Sequence, residues 1–292
     1  MNQHALCWIN NKIVAAHEAQ ISVFDHGLLY GDGIFEGLRF YSNTVFKLEE
    51  HLQRLQQSAD AISLTIPLSP EQICLALKQI IERYPSDSGY LRLVITRGIG
   101  SLGIDPQKCP QAQLFIIADE LSVVNNHHAN NGVKLLVAST RRMPAECLNP
   151  KIKSLNYLNN ILARIEANAA GMDEALMLNT DGFVTEGTVD NIFIIKNGIL
   201  KTPPVSDGLL QGITRDIILE IAEELDIQTQ QSSLTVDDFM QADECFLTGT
   251  GAELIPVSQI DQHKYSKPEQ PIYPLIEQTF KKSVQAYCNQ DE

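Results

Sequence analysis

Positive charge is scarce in this sequence. Lysine and arginine total 22 against 36 aspartates and glutamates, for a net charge of -14. Nucleic acid and anionic membrane both repel such a surface, so neither is an expected partner. A small anion is not excluded, because a local positive field can exist on an acidic protein. No apolar run approaches the roughly 18 residues that a membrane-spanning helix needs. The opening MNQHALCWINN lacks a basic segment followed by an apolar one and does not read as a signal peptide. The six cysteines (Cys7, Cys74, Cys109, Cys147, Cys245 and Cys288) show no C-x-x-C spacing and no Cys/His cluster. Neither zinc nor a disulfide framework is expected, and the cytoplasm is the expected location. His127 and His128 have no partner at ligand spacing and read as loop residues. Repeats, low-complexity tracts and the G-x-x-x-x-G-K-[ST] spacing of a P-loop are also missing.

The remaining composition is ordinary for a globular chain. It has 292 residues, 44% apolar and 20% charged, enough for one large domain or two of usual size. Hairpins are expected at CWINNKIVA, at FYSNTVF and at IFIIKNGILKT, where Asn197-Gly198 supplies two positive φ angles. Helical spacing runs through Leu48, Leu52, Leu55 and Ala59, and through Ile73, Leu77, Ile80 and Ile81 after Pro70. It recurs in Leu158, Ile161, Leu162, Ile165 and Ala169, with Asn156 as an acceptable cap, and in Ile213 to Leu225, facing inward. YLRLVITRG, AQLFIIAD, VKLLVAST and EALMLN have strand length. The polar NNHHANNG stretch reads as a linker. The expected fold class is α+β in two domains, 1–121 and 133–292, joined by a linker at 122–132.

Four places could carry chemistry. In NPKIKSLNYLNN, Lys151 and Lys153 would share one side of an extended segment. Taken alone, each reads as a solvated surface charge, and a lysine used covalently would have to be partly desolvated. In VTEGTVDN, Glu186 is either a turn residue or a carboxylate aimed into a cleft. QGIT opens a helix whose free N–H groups suit an anion, and TGTGAE is a second turn of that kind; by default they are a helix cap and a hairpin. In YGDGIFEGLR, alternation puts Phe35, Gly37 and Arg39 on one strand face, and Gly37 leaves room there.

Taken together, FDHGLLYGDGIFEGLRFY, EEHLQRL, IKSLNYL, VTEGTVDNIF, GITR and LTGTGAELIPV make the chain resemble the fold type IV enzymes that use pyridoxal 5'-phosphate. That group contains branched-chain aminotransferases, D-amino acid aminotransferases and aminodeoxychorismate lyases. The resemblance implies a small α/β N-terminal domain and a larger C-terminal domain with a pseudo-barrel sheet. It implies that Lys153 is the catalytic residue, forming a Schiff base with the cofactor and then moving the proton. By the same resemblance Glu186 pairs with the pyridine nitrogen, Tyr157 bonds the ring hydroxyl, and Arg54, Ile213, Thr214 and Thr250 hold the phosphate. Lys151 is given no role.

The FEGLR stretch is similar to the branched-chain enzymes. Tyr30, Phe35, Gly37, Arg39, Tyr90, Arg92, Gly251 and Ala252 would then bind substrate, with Tyr30 and Phe35 lining an apolar pocket. The expected reaction is ping-pong transfer of an amino group from a branched-chain L-amino acid to 2-oxoglutarate, by a homodimer or higher homo-oligomer without metal. The short Lys153–Asn156 spacing and Gly251 depart from the branched-chain pattern. They keep aminodeoxychorismate lyase and D-amino acid aminotransferase as alternatives. A non-catalytic cofactor binder is disfavoured by the joint presence of Lys153, Glu186 and Arg54.

Overall fold

A computed structural model describes residues 4–120, 132–266 and 268–289. The chain divides into two compact units. Among the described residues the first comprises 4–120, 152–156 and 284–289, and the second the remainder. The expected linker, with His127 and His128, lies outside the described residues apart from Gly132.

The first unit is a six-stranded antiparallel sheet. In chain order its strands are β1 (Leu6–Ile9), β2 (Lys12–Ala15), β3 (Gly33–Tyr41), β4 (Thr44–Val45), β5 (Gly89–Thr96) and β6 (Gln113–Asp119). Their order across the sheet is β2-β1-β6-β5-β3-β4. The predicted turns close the hairpins: Asn10 and Asn11, and Ser42 and Asn43, all take positive φ. A short helix α1 (His26–Tyr30) precedes β3, capped by Asp25. Helix α2 (Leu48–Ala61) carries Glu49 and Glu50 in its first turn, which favours the helix dipole. Helix α3 (Pro70–Arg83) starts with proline inside a Ser69–Gln72 capping box. One face of the sheet buries Ile34, Leu38 and Phe40 against Leu55 and Ala59 of α2 and Leu77 and Ile80 of α3.

The second unit holds a nine-stranded sheet that mixes parallel and antiparallel pairs. Its strands are β7 (Val133–Val137), β8 (Glu174–Leu178), β9 (Val184–Glu186), β10 (Asn191–Lys196), β11 (Ile199–Thr202), β12 (Thr229–Gln231), β13 (Glu244–Gly249), β14 (Glu253–Ile260) and β15 (His263–Lys264). The order is β12-β11-β10-β13-β14-β7-β8-β9, with β15 on β14. Strand β8 is buried throughout. Leu176 and Leu178 join one core, and Ala175 and Met177 join another with Ala163 and Ala167 of helix α4 (Leu158–Ala169). Both faces of this strand are therefore covered, which explains its unbroken apolar run. The other helices are α5 (Ile213–Glu224), α6 (Val236–Met240) and α7 (Tyr273–Cys288). The fold class is α+β.

One open point is settled and two expectations need correction. The α4 stripe points outward: Leu158, Ile161, Leu162 and Ile165 are 67%, 50%, 45% and 56% exposed, while Asn160, Ala163 and Ala167 face the sheet. Small residues let the helix lie close to β8, and the large ones are left outside. Asn156 does not cap α4. The capping position is Tyr157, without a side-chain cap, and the Asn156 amide donates to the Gly31 carbonyl at 2.9 Å. Lys151 and Lys153 do not share one environment, since Lys151 is exposed in a turn and Lys153 is half-buried.

Candidate active site

In the first unit the site is built on β3. Ser154 bridges Ile34, the Phe35 amide donates to the Lys153 carbonyl at 3.0 Å, and the Leu155 amide donates to the Gly33 carbonyl at 2.9 Å. This backbone pairing groups 152–156 with the first unit. The Lys153 amide also donates to Ser58 Oγ on α2 at 3.2 Å. Lys153 Nζ stands 4.8 Å from the centroid of the Phe35 ring, and the Arg92 guanidinium stands 3.9 Å from the same centroid. Two cations therefore share one buried aromatic ring.

Alternation places Phe35, Gly37 and Arg39 away from the face of Ile34, Leu38 and Phe40. Gly37 lies opposite Arg92, and Arg39 opposite Tyr90. A Cβ on Gly37 would come within 2.4 Å of Tyr90 Oη. Burial is the main influence raising the Tyr90 phenol above its ordinary pKa, with Arg92 opposing it, so the hydroxyl stays neutral. The Arg39 guanidinium lies 5.5 Å from the Tyr41 ring centroid. Tyr30 stands on α1, exposed, with its ring against His26 and its hydroxyl accepting the Gly103 N–H at 2.9 Å.

Behind β3 lies a cluster that no local pattern announces. Glu36 is fully buried. Arg54 of α2 grips it with two hydrogen bonds, Nε to Oε1 and Nη2 to Oε2, each 2.7 Å. His51, one turn earlier on α2, meets Oε2 at 2.8 Å. Burial pushes the Glu36 carboxyl up, but the charge and hydrogen bonds of Arg54 and His51 outweigh it and bring it to about 2. Burial pushes His51 below its ordinary value. Glu36 pulls the other way, and the Arg54 and Lys153 charges add to the lowering. A neutral His51 donates its Nδ1 proton to the carboxylate.

In the second unit, Glu186 ends β9 and is buried. Arg142 Nη2 pairs with Oε1 at 2.8 Å, and the Leu210 amide donates to Oε2 at 3.2 Å. Arg142 Nη1 donates to Asn160 Oδ1 at 3.0 Å, and the Asn160 amide donates to the Thr188 carbonyl at 2.6 Å. Arg142 and Asn160 escaped the sequence reading. The pairing joins residues 142 and 186 with no spacing rule behind it.

Ile213 and Thr214 form the first turn of α5, and Thr214 is buried. The cap is Gly212, and no side chain caps this end. A Cβ on Gly212 would fall 2.0 Å from Asn191 Oδ1, so only glycine fits that turn. The Asn191 amide in turn holds the Leu210 carbonyl at 2.9 Å. Thr250, Gly251 and Ala252 form the half-buried turn between β13 and β14. Buried Thr248 Oγ1, two residues earlier, has no hydrogen-bond partner. A helix start without a side-chain cap, with a hydroxyl in its first turn, suits an anion of phosphate type.

Residues 33–260 match the family model for Amino-transferase class IV. A Methanocaldococcus jannaschii protein provisionally named a branched-chain-amino-acid aminotransferase is 48% identical over 254 residues, covering 87% of each chain. The solved branched-chain aminotransferase of Thermoproteus uzoniensis with norvaline superposes with a TM-score of 0.89 at 34% identity, covering 98% of this chain and 96% of that one. The solved T.th. branched-chain amino acid aminotransferase with pyridoxamine 5'-phosphate gives 0.89 at 35%, covering 96% and 94%. Sequence and fold agree along nearly the whole length, and the chain belongs to the class IV aminotransferases.

Proposed function

We propose that this protein is a pyridoxal-phosphate-dependent aminotransferase that moves the amino group of a branched-chain L-amino acid to 2-oxoglutarate. The observation that carries this reading is Lys153, half-buried and ordered by β3, with its amine over the Phe35 ring beside a second cation. The relatives reported above bear the branched-chain name, and neither the lyase nor the D-specific alternative is favoured.

The residues fit the cofactor. The α5 start, with Ile213, Thr214 and Thr250, is assigned to the phosphate, and by the family resemblance so is Arg54. The α5 start has no side-chain cap, which suits an anion at its N–H groups. Glu186 offers a buried carboxylate for a ring N–H, and Tyr157 a phenol for the ring hydroxyl. When bound, the cofactor withdraws electrons from the substrate Cα and so acidifies its proton. Lys153 Nζ is assigned to take that proton from Cα and to hold it for its return later in the reaction. Arg142 and the Leu210 N–H hold the two oxygens of Glu186, so the carboxylate keeps one orientation. Tyr90, Arg92, Arg39 and the Gly251–Ala252 turn are assigned to the substrate carboxylates, and Phe35, with Tyr30, to the apolar side chain.

The homo-oligomer belongs to this proposal. Its support is the outward apolar stripe of α4, together with exposed Val23, Phe24 and Leu28 in the first unit. A cytoplasmic site agrees with six free cysteines, and among the described residues no helix is long and apolar enough to cross a membrane.

The test is absorbance. Protein mixed with pyridoxal phosphate should give a band near the visible edge that shifts on adding L-leucine, but not D-alanine, and borohydride should fix the cofactor to the chain. Lys153→Ala should abolish fixation, whereas Lys151→Ala should leave it intact. A band that no amino acid alters would end the aminotransferase reading.

A further inference from the structure

Glu36 is a charge where the sheet pattern calls for an apolar residue. It shares the inner face of β3 with Ile34, Leu38 and Phe40, and it is completely buried there. Burying an ion pair is expensive, and a well-packed apolar pair of similar volume is commonly as stable or more so. Stability alone therefore does not explain the pair. What a carboxylate adds is orientation. Its two oxygens take Arg54 Nε and Nη2 in parallel, which fixes the plane of the guanidinium and not merely its position. His51 occupies a further lone pair of Oε2 from the same helix, one turn away, and stops the carboxylate from rotating.

We propose that Glu36, steadied by His51, is a positioning residue that aims Arg54 at the phosphate of the cofactor. This rests on the reading of Arg54 as a phosphate ligand. The assignment has a built-in contrast. Glu36 also cancels the charge of Arg54, so if charge mattered more than aim, removing Glu36 would tighten phosphate binding. Aim predicts the reverse.

The experiment measures dissociation constants of pyridoxal phosphate and of unphosphorylated pyridoxal, by absorbance titration of cofactor-stripped protein. The parent, Glu36→Gln, Glu36→Asp and Arg54→Ala are compared, with a thermal melt of each. Glu36→Gln should weaken pyridoxal phosphate at least tenfold and leave pyridoxal within twofold of the parent. Glu36→Asp keeps the charge but shortens the reach, should behave alike, and carries the test if the glutamine variant does not fold. Arg54→Ala should lose the preference for the phosphorylated form. If Arg54→Ala loses that preference while both Glu36 variants keep it or bind pyridoxal phosphate more tightly, the positioning role falls and Arg54 stands. If both cofactor forms weaken in parallel in the Glu36 variants, Glu36 is merely structural. If Arg54→Ala retains the preference, the phosphate reading of Arg54 falls and this proposal falls with it.

Discussion

Gly37→Ala is a one-atom probe of the β3 site. Gly37 has no positive φ, so alanine is acceptable to the backbone. The obstacle is space. The new Cβ would lie 2.4 Å from Tyr90 Oη and 3.1 Å from two atoms of that ring. Relief requires Tyr90 to retreat by about 1 Å, an overpacking cost of roughly 1–3 kcal/mol. Tyr90 interacts with Arg92, Arg92 lies on Phe35, and Lys153 Nζ lies on the same ring. The displacement is therefore passed to the groups assigned to substrate and proton transfer, where an error of about 1 Å costs on the order of a hundredfold in rate. Steady-state kinetics with leucine as donor should show kcat/KM down by about that factor, with a modest drop in melting temperature. Adding Tyr90→Phe removes the atom at 2.4 Å and leaves only the 3.1 Å contacts. The double variant should regain the lost melting temperature but not the activity, because Tyr90 is itself assigned to the substrate carboxylate. Activity of Gly37→Ala within twofold of the parent, or a double variant that melts no higher than the single one, would refute the steric argument.

The buried cluster also sets acid stability. The Glu36 carboxyl is held at about 2 from a reference of 4.5. Its contribution is therefore fully present above pH 4.5 and is lost as pH falls towards 2. In total it is on the order of 3 kcal/mol. His51 is lowered from 6.5, so its burial begins to oppose folding as pH drops below that value. Thermal melts should weaken from about pH 6.5 downward, and Glu36→Gln should flatten the part below 4.5; superimposable profiles there would contradict the pairing. Separately, Ile161→Glu with Ile165→Glu puts two charges on the outward α4 stripe. Light scattering should show a smaller assembly with unchanged far-ultraviolet circular dichroism, and an unaltered mass would remove α4 from the interface.

Local rules reached the fold well where the physics is local. Asn10-Asn11, Ser42-Asn43 and Asn197-Gly198 close their hairpins because these residues accept positive φ. Pro70 and Ser69 fix the start of α3 within the chain itself. The α4 stripe shows where such rules stop. Period identifies which residues share a helix side, not what covers that side, and here small Ala163 and Ala167 took the core while the larger residues stayed outside. The tertiary partners were out of reach for a related reason. Glu36 meets His51 and Arg54, and Glu186 meets Arg142, only after strands and helices have packed.

Yet the site left a trace of another kind. Glu36 interrupts an apolar alternation, and Lys153 sits between Ile152 and Leu155 in a segment that docks on β3. Each is a residue that the local pattern would replace with an apolar one. A chain selected for stability alone would make position 36 apolar and expose or remove the lysine. That both conflicts fall on β3 and the segment paired to it is a physical reason to place chemistry there, and it holds whichever amino acid is the substrate.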